Sequence, residues 1–191
     1  MPDPLYRGLL LAGPLLLLPA CGSRAPAKAT AAASPTHCIA DGSGMLKARL
    51  RGAIDAELDW PDALITCTGG ARPDGSGIRV SLSGPLDAQG RSLQLVFGLA
   101  SAPGTAEAHN IATNVTVIDS VGQRLFSTLG DDKCQTETLT QQQEPANAHV
   151  WLVQARGFCI GPAATLDRSA QLWVERFDFR ARIDTEEKDH L

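Results

Sequence analysis

The sequence predicts an all-β domain: an antiparallel β-sandwich, or alternatively a β-barrel, of about eight or nine strands with two disulfides. Three observations predict it. Apolar and polar residues alternate with a period of two through most of residues 37–191. Turns rich in Gly and Pro separate the alternating runs. Four cysteines, Cys38, Cys67, Cys134 and Cys159, form an even set within the same span.

The elements follow in chain order. Leu46, Ala48, Leu50, Ile54, Ala56, Leu58 and Trp60 share one phase, and Lys47, Arg49, Arg51, Asp55, Glu57 and Asp59 share the other. This alternation predicts one long, half-buried antiparallel strand. A helix would align Leu46, Leu50, Ile54 and Leu58 but would leave Ala48, Ala56 and Trp60 off the stripe. A strand over Ala63 to Thr68 comes next. The Gly69 to Gly77 loop follows, with Pro73-Asp74-Gly75 as its turn signal. Ile78, Val80 and Leu82 alternate with Arg79, Ser81 and Ser83, and Leu93, Leu95, Phe97 and Leu99 alternate after Gly84-Pro85. Segments 111–118, 123–129 and 134–141, rich in Thr and Val, supply three more strands. Val150 to Ile160 and Ala170 to Ile183 close the set, with no convincing helix and no internal repeat.

The last strand breaks phase. Leu172 and Val174 lie in one phase, Phe177, Phe179, Ala181 and Ile183 in the other. The break at Glu175-Arg176 predicts a β-bulge or a strand that serves two sheets. Asp178, Arg180 and Arg182 are expected to complement Asp55, Glu57 and Asp59 if first and last strands pair.

Four cysteines allow three connectivities. Cys38–Cys67 with Cys134–Cys159 is favoured, because each bridge encloses one or two neighbouring strands and leaves the other unlinked. In the chain-entropy account each contributes about 3.5 kcal/mol. No C-x-x-C or H-x-x-x-H spacing suggests a zinc site, so neither a metal nor a cofactor is expected.

The N-terminus carries an address. Arg7 precedes an apolar run from Leu9 to Leu18, too short to cross a bilayer as a helix. Leu17-Leu18-Pro19-Ala20-Cys21-Gly22 resembles the lipobox of a bacterial lipoprotein. That resemblance implies a signal peptide over 1–20, acylation of Cys21 and a membrane partner through the lipid anchor. With Gly22 after the cysteine, it also implies the periplasmic face of the outer membrane. Cleavage near Ala25-Pro26-Ala27 is the alternative, releasing a soluble periplasmic protein. Residues 21–36, rich in Ala, Pro, Ser and Thr, read as a flexible tether, leaving 37–191 as a single β domain.

Charge narrows the partners. The chain carries −4; Asp3 and Arg7 cancel and Arg24 and Lys28 fall in the tether, so the domain stands near −6. An acidic domain with no clustered Lys or Arg argues against nucleic acid. No G-x-S-x-G or S-x-x-K motif occurs. His109 and His149, with Asp119 or Asp131 as partners, are the only acid–base candidates for a periplasmic hydrolase. Neither Asp131-Asp132 nor Asp41-Gly42-Ser43-Gly44 matches a calcium loop, so both read as turns. The candidate binding loop comprises Arg72 and Asp74, with Trp60 as the best candidate for an exposed aromatic. The expected function is therefore a non-catalytic envelope lipoprotein that binds another envelope protein or polymer. The alternatives are the hydrolase and a barrel enclosing a small apolar ligand.

Overall fold

A computed structural model describes residues 37–186. The expectations for the signal peptide, the Cys21 lipid and the tether all fall outside the described residues. Eleven strands form one antiparallel sheet: β1 (Met45–Gly52), β2 (Ala56–Pro61), β3 (Thr66–Ala71), β4 (Ile78–Pro85), β5 (Ser92–Leu99), β6 (Glu107–Asp119), β7 (Arg124–Ser127), β8 (Cys134–Glu144), β9 (Asn147–Cys159), β10 (Ala163–Ala164) and β11 (Gln171–Asp184). The only helical element among the described residues is a 3-10 turn, Asp62–Leu64. The all-β antiparallel class is thus observed, as are the two disulfides, Cys38–Cys67 and Cys134–Cys159.

Eleven strands exceed the expected nine for two local reasons. The alternating run from Leu46 to Trp60 is not one strand but a hairpin, β1 and β2, turning at Ala53–Asp55. Gly52, with φ +104°, adopts the left-handed backbone that opens the turn. The turn hides in the sequence because the register pairs even residues with even, as in Leu46↔Trp60 and Leu50↔Ala56. One face therefore stays apolar straight through the reversal. The second addition is β10, two residues long and too short to show periodicity.

The Gly69–Gly77 loop is also shorter than expected. Gly69, Gly70 and Ala71 continue β3 and pair with Val80, Arg79 and Ile78. The two glycines let this edge strand lie directly against β11. A Cβ on Gly69 would meet Ile183 Cγ2 at 2.6 Å, and one on Gly70 the Asp184 carbonyl at 2.6 Å.

The phase break in the last strand is a bulge. Arg49 pairs Arg176 while Leu50 pairs Val174, leaving Glu175 unmatched. Beyond the bulge, β11 pairs β9; before it, β11 pairs β10. First and last strands do pair, β1 with β11, but the expected charge partners are corrected. Asp59 and Glu57 sit on β2, one strand away, and meet Lys47 at 3.5 Å and Arg49 at 3.8 Å on β1. Arg176, rather than Arg180 or Arg182, reaches Glu57 at 2.5 Å, and Arg182 turns to Glu144 at 3.8 Å.

Burial of the apolar phase drives this assembly. Phe97 of β5 packs against Phe177 and Phe179 of β11 at centroid distances of 4.9 and 4.7 Å. Fully buried Leu46, Leu50, Leu82, Leu95 and Leu139 fill the same interior. The Cys38–Cys67 bridge joins the segment before β1 to β3, and Cys134–Cys159 crosses directly between opposed residues of β8 and β9.

Candidate functional site

The candidate loop, now Arg72 to Gly77, is closed by its own backbone. The Arg72 amide donates to the Gly77 carbonyl at 2.8 Å and the Gly75 amide to the Arg72 carbonyl at 2.9 Å. The Ser76 hydroxyl and amide both donate to Asp74 Oδ1, at 2.6 and 3.0 Å. These two bonds, with Arg72 nearby, hold the Asp74 carboxyl below its ordinary pKa.

Arg72 points away from solvent, 16 % exposed, and donates to Asp131 at 3.2 Å. Asp131 is itself fixed: its Oδ1 accepts from Asn114 Nδ2 at 2.8 Å, and its carbonyl from the Thr113 amide at 3.1 Å. One guanidinium thus ties the β3–β4 loop to the β7–β8 loop across β6. Gly98 on β5 makes room for Asn114, whose amide oxygen would lie 2.7 Å from a Cβ there.

Two surface hollows flank the bridge. One, of about 340 Å³, is lined by Arg72, Pro73, Asp74, Arg79, Val96 and Asn114, with Gly98 at its floor. The other, of about 320 Å³, includes Asp131, Asp132, Gln135, Phe158 and Ile160. Arg72, Arg91 and Arg124 all face carboxylates; exposed Arg79 meets none among the described residues. The surface therefore offers Arg79 without a carboxylate partner among the described residues, several amides and carboxylates, and Ile160, which is 71 % exposed.

Trp60 does not join this loop. It is 3 % exposed, its indole Nε1 donates to the Pro85 carbonyl at 2.7 Å, and its ring packs over Gly84. Alternation had already placed Trp60 on the apolar phase, and burial of that phase decides its position over the neighbouring Pro61.

The histidines fall elsewhere. His109, on β6 and not beside a loop, is exposed; its Nε2 lies 3.1 Å from Glu107 and its Nδ1 3.3 Å from the Glu137 carbonyl. His149 is exposed near the start of β9, where its amide is capped by Asn147. Neither touches Asp119 or Asp131. Asp119 belongs to Arg91 and Arg124, and Asp131 to Arg72 and Asn114. Neither of these two histidines is positioned to activate a nucleophile; His37, near the start of the described residues, instead meets the buried Asp62 carboxylate at 2.8 Å. Among the described residues, no group of three His, Cys, Asp or Glu side chains could hold a metal ion. Asp41 accepts from the Ser43 amide and hydroxyl, which closes a local turn.

Sequence reasoning missed Arg79, Asn114 and the role of Asp131. Strand phase alone points Arg79 outward, but only the β4–β5–β6 order brings Asn114 and Asp131 beside it. No family model, curated protein or solved structure matches this chain.

Proposed function

We propose that this protein is a non-catalytic lipoprotein of the bacterial envelope, anchored through Cys21 to the periplasmic face of the outer membrane. Its β domain binds another envelope protein or polymer. The observation that carries the reading is the face around the Arg72–Asp131 bridge. There, two loops are locked onto the sheet, two hollows open beside them, and Arg79 lacks an acidic partner among the described residues. Contact residues on rigidly held loops lose little conformational entropy on binding. The separation of His109 and His149 from Asp119 and Asp131 favours binding over hydrolysis. The Phe97–Phe177–Phe179 cluster occupies space that an enclosed apolar ligand would need.

The test is in-cell crosslinking of the tagged full chain, with mass spectrometry, comparing the native sequence with Cys21→Ser and Arg79→Glu. The expected result is a discrete envelope partner, reduced several-fold by either substitution, and an acylated Cys21 peptide from the native chain only. The reading fails if the native chain yields no partner, or if Cys21 carries no lipid and the chain fractionates with soluble protein.

A further inference from the structure

We propose that residues 37–44, which lead into β1, form a strap that a dithiol releases by reducing Cys38–Cys67, with the strands left in place. None of these residues joins the strand ladder. Three contacts fasten them. Cys38 is bridged to Cys67 on β3, and the Ile39 side chain is buried. The third contact is the carboxylate of Asp62, in the 3-10 turn between β2 and β3. Its Oδ1 accepts from the Ile39 and Gly44 amides, both at 3.0 Å, and its Oδ2 meets His37 Nδ1 at 2.8 Å. Among the described residues, every hydrogen bond of the Asp62 side chain therefore ends in the strap. Position 44 takes glycine because a Cβ there would collide with the same carboxylate.

The two disulfides sit in different surroundings. Cys134 and Cys159 are opposed residues at one end of the β8–β9 ladder, whose paired strands hold their register without the bridge. Cys38 has no such ladder beside it. Access differs as well. Cys38, Cys134 and Cys159 are buried, whereas Cys67, on a strand that pairs only with β4, is half-buried. Exchange requires an attacking thiolate to reach a sulfur, so Cys67 is the point of entry. One thiolate of the dithiol attacks Cys67 Sγ, forming a mixed disulfide and expelling the Cys38 thiolate, which takes a proton from water. The second thiol, as its thiolate, then attacks the dithiol's own sulfur in that mixed disulfide and expels the Cys67 thiolate, which is protonated in turn. The bridge gains two electrons and two protons, and the dithiol is oxidised to its internal disulfide.

With the bridge open, Asp62 and the burial of Ile39 and Cys38 are all that hold the strap. Its departure exchanges the three contacts of Asp62 for water and returns backbone freedom to the whole segment. That gain in freedom outweighs the exposure of two small apolar side chains. The strap follows directly on residues 21–36. If Cys21 carries the anchor, release lengthens the reach of the domain from the membrane by at most about 28 Å, at about 3.5 Å per residue. The gain in reach rests on the proposed anchor; the release itself does not.

The experiment titrates the native full chain with dithiothreitol, traps free thiols by alkylation and identifies them by mass spectrometry. Cys38 and Cys67 should become alkylated at a dithiol concentration at least tenfold below the one that opens Cys134–Cys159. Hydrogen exchange then follows the ¹⁵N-labelled chain carrying both Cys38→Ser and Cys67→Ser. The Ile39 and Gly44 amides should exchange at least tenfold faster than in the native chain, while Val80 and Leu95, on the central strands β4 and β5, stay protected. A chain carrying Cys134→Ser and Cys159→Ser separates release from a general loss of stability, because there Ile39 and Gly44 should keep their protection. Three results would overturn the proposal. Cys134–Cys159 opens first, Ile39 and Gly44 stay protected without their bridge, or Val80 and Leu95 lose protection as fully as they do. A Cys21 peptide without lipid would instead remove the anchor and the gain in reach, and leave the strap as measured.

Discussion

Asp119 and Asp178 are both carboxylates on strands with oxygen atoms shut away from water, and their surroundings are opposite. Asp119, at the end of β6, has a fully buried side chain that accepts from Arg124 at 2.9 Å, Arg91 at 3.3 Å and the Gly122 amide at 2.9 Å. Burial by itself would raise its pKa. The Gly122 amide, the Arg124 hydrogen bond and the charges of Arg91 and Arg124 together outweigh burial and leave the carboxyl below its ordinary value. Asp178, midway along β11, has a buried Oδ1 with no partner at all. The difference separates a group that the fold needs from one that the fold merely carries. A satisfied buried charge ties the β5, β6 and β7 ends together; an unsatisfied one adds nothing to folding.

The largest effect should come from stripping the satisfied group. Asp119→Ala leaves Arg91 and Arg124 without their common acceptor, and we expect a loss of about 2–4 kcal/mol by urea denaturation. A loss near zero would break the contrast from this side. Protonation probes the same group more gently. Because the folded pKa of Asp119 lies below its unfolded value, its stabilisation is fully present above about pH 4. It is lost as pH falls through the folded pKa. The stability gap between native chain and Asp119→Asn should therefore stay constant from neutral pH to about 5 and shrink below about 4. A gap that widens in acid would contradict the assignment.

Arg72→Ala comes next in size. Its ion pair with Asp131 is only partly shielded, with Asp131 33 % exposed, so we expect about 0.5–1.5 kcal/mol. Hydrogen exchange should speed up at Arg72, Gly75 and Thr113, whose amides close the two loops. Unchanged exchange would mean that the loops hold themselves without the bridge. The smallest effect belongs to Asp178→Asn, within about 1 kcal/mol of the native chain or slightly more stable.

Strand phase told much of this fold in advance, because half-buried antiparallel strands leave a period-two trace. The apolar stretches of β4, β5 and β11 were legible in this way, and the unmatched Glu175 showed itself as a phase slip. The β1–β2 turn was not legible, since an even-with-even register preserves the phase across Gly52. The functional surface was legible only in part. Arg72 and Asp74 drew attention by sitting beside a Pro-Asp-Gly turn. Arg79 and Asn114 did not, because only the β4–β5–β6 order brings them beside Asp131. Trp60 illustrates the reverse: a neighbouring proline suggested exposure, but the alternation that buried it was the stronger signal.

The most direct test of the contrast between the two carboxylates measures thermal unfolding of the native chain, Asp119→Asn and Asp178→Asn. The account predicts that Asp119→Asn melts lower than the native chain. Asp178→Asn should melt at or above the native temperature. If Asp178→Asn instead melts as low as Asp119→Asn, Asp178 serves the fold and the contrast drawn between them is wrong.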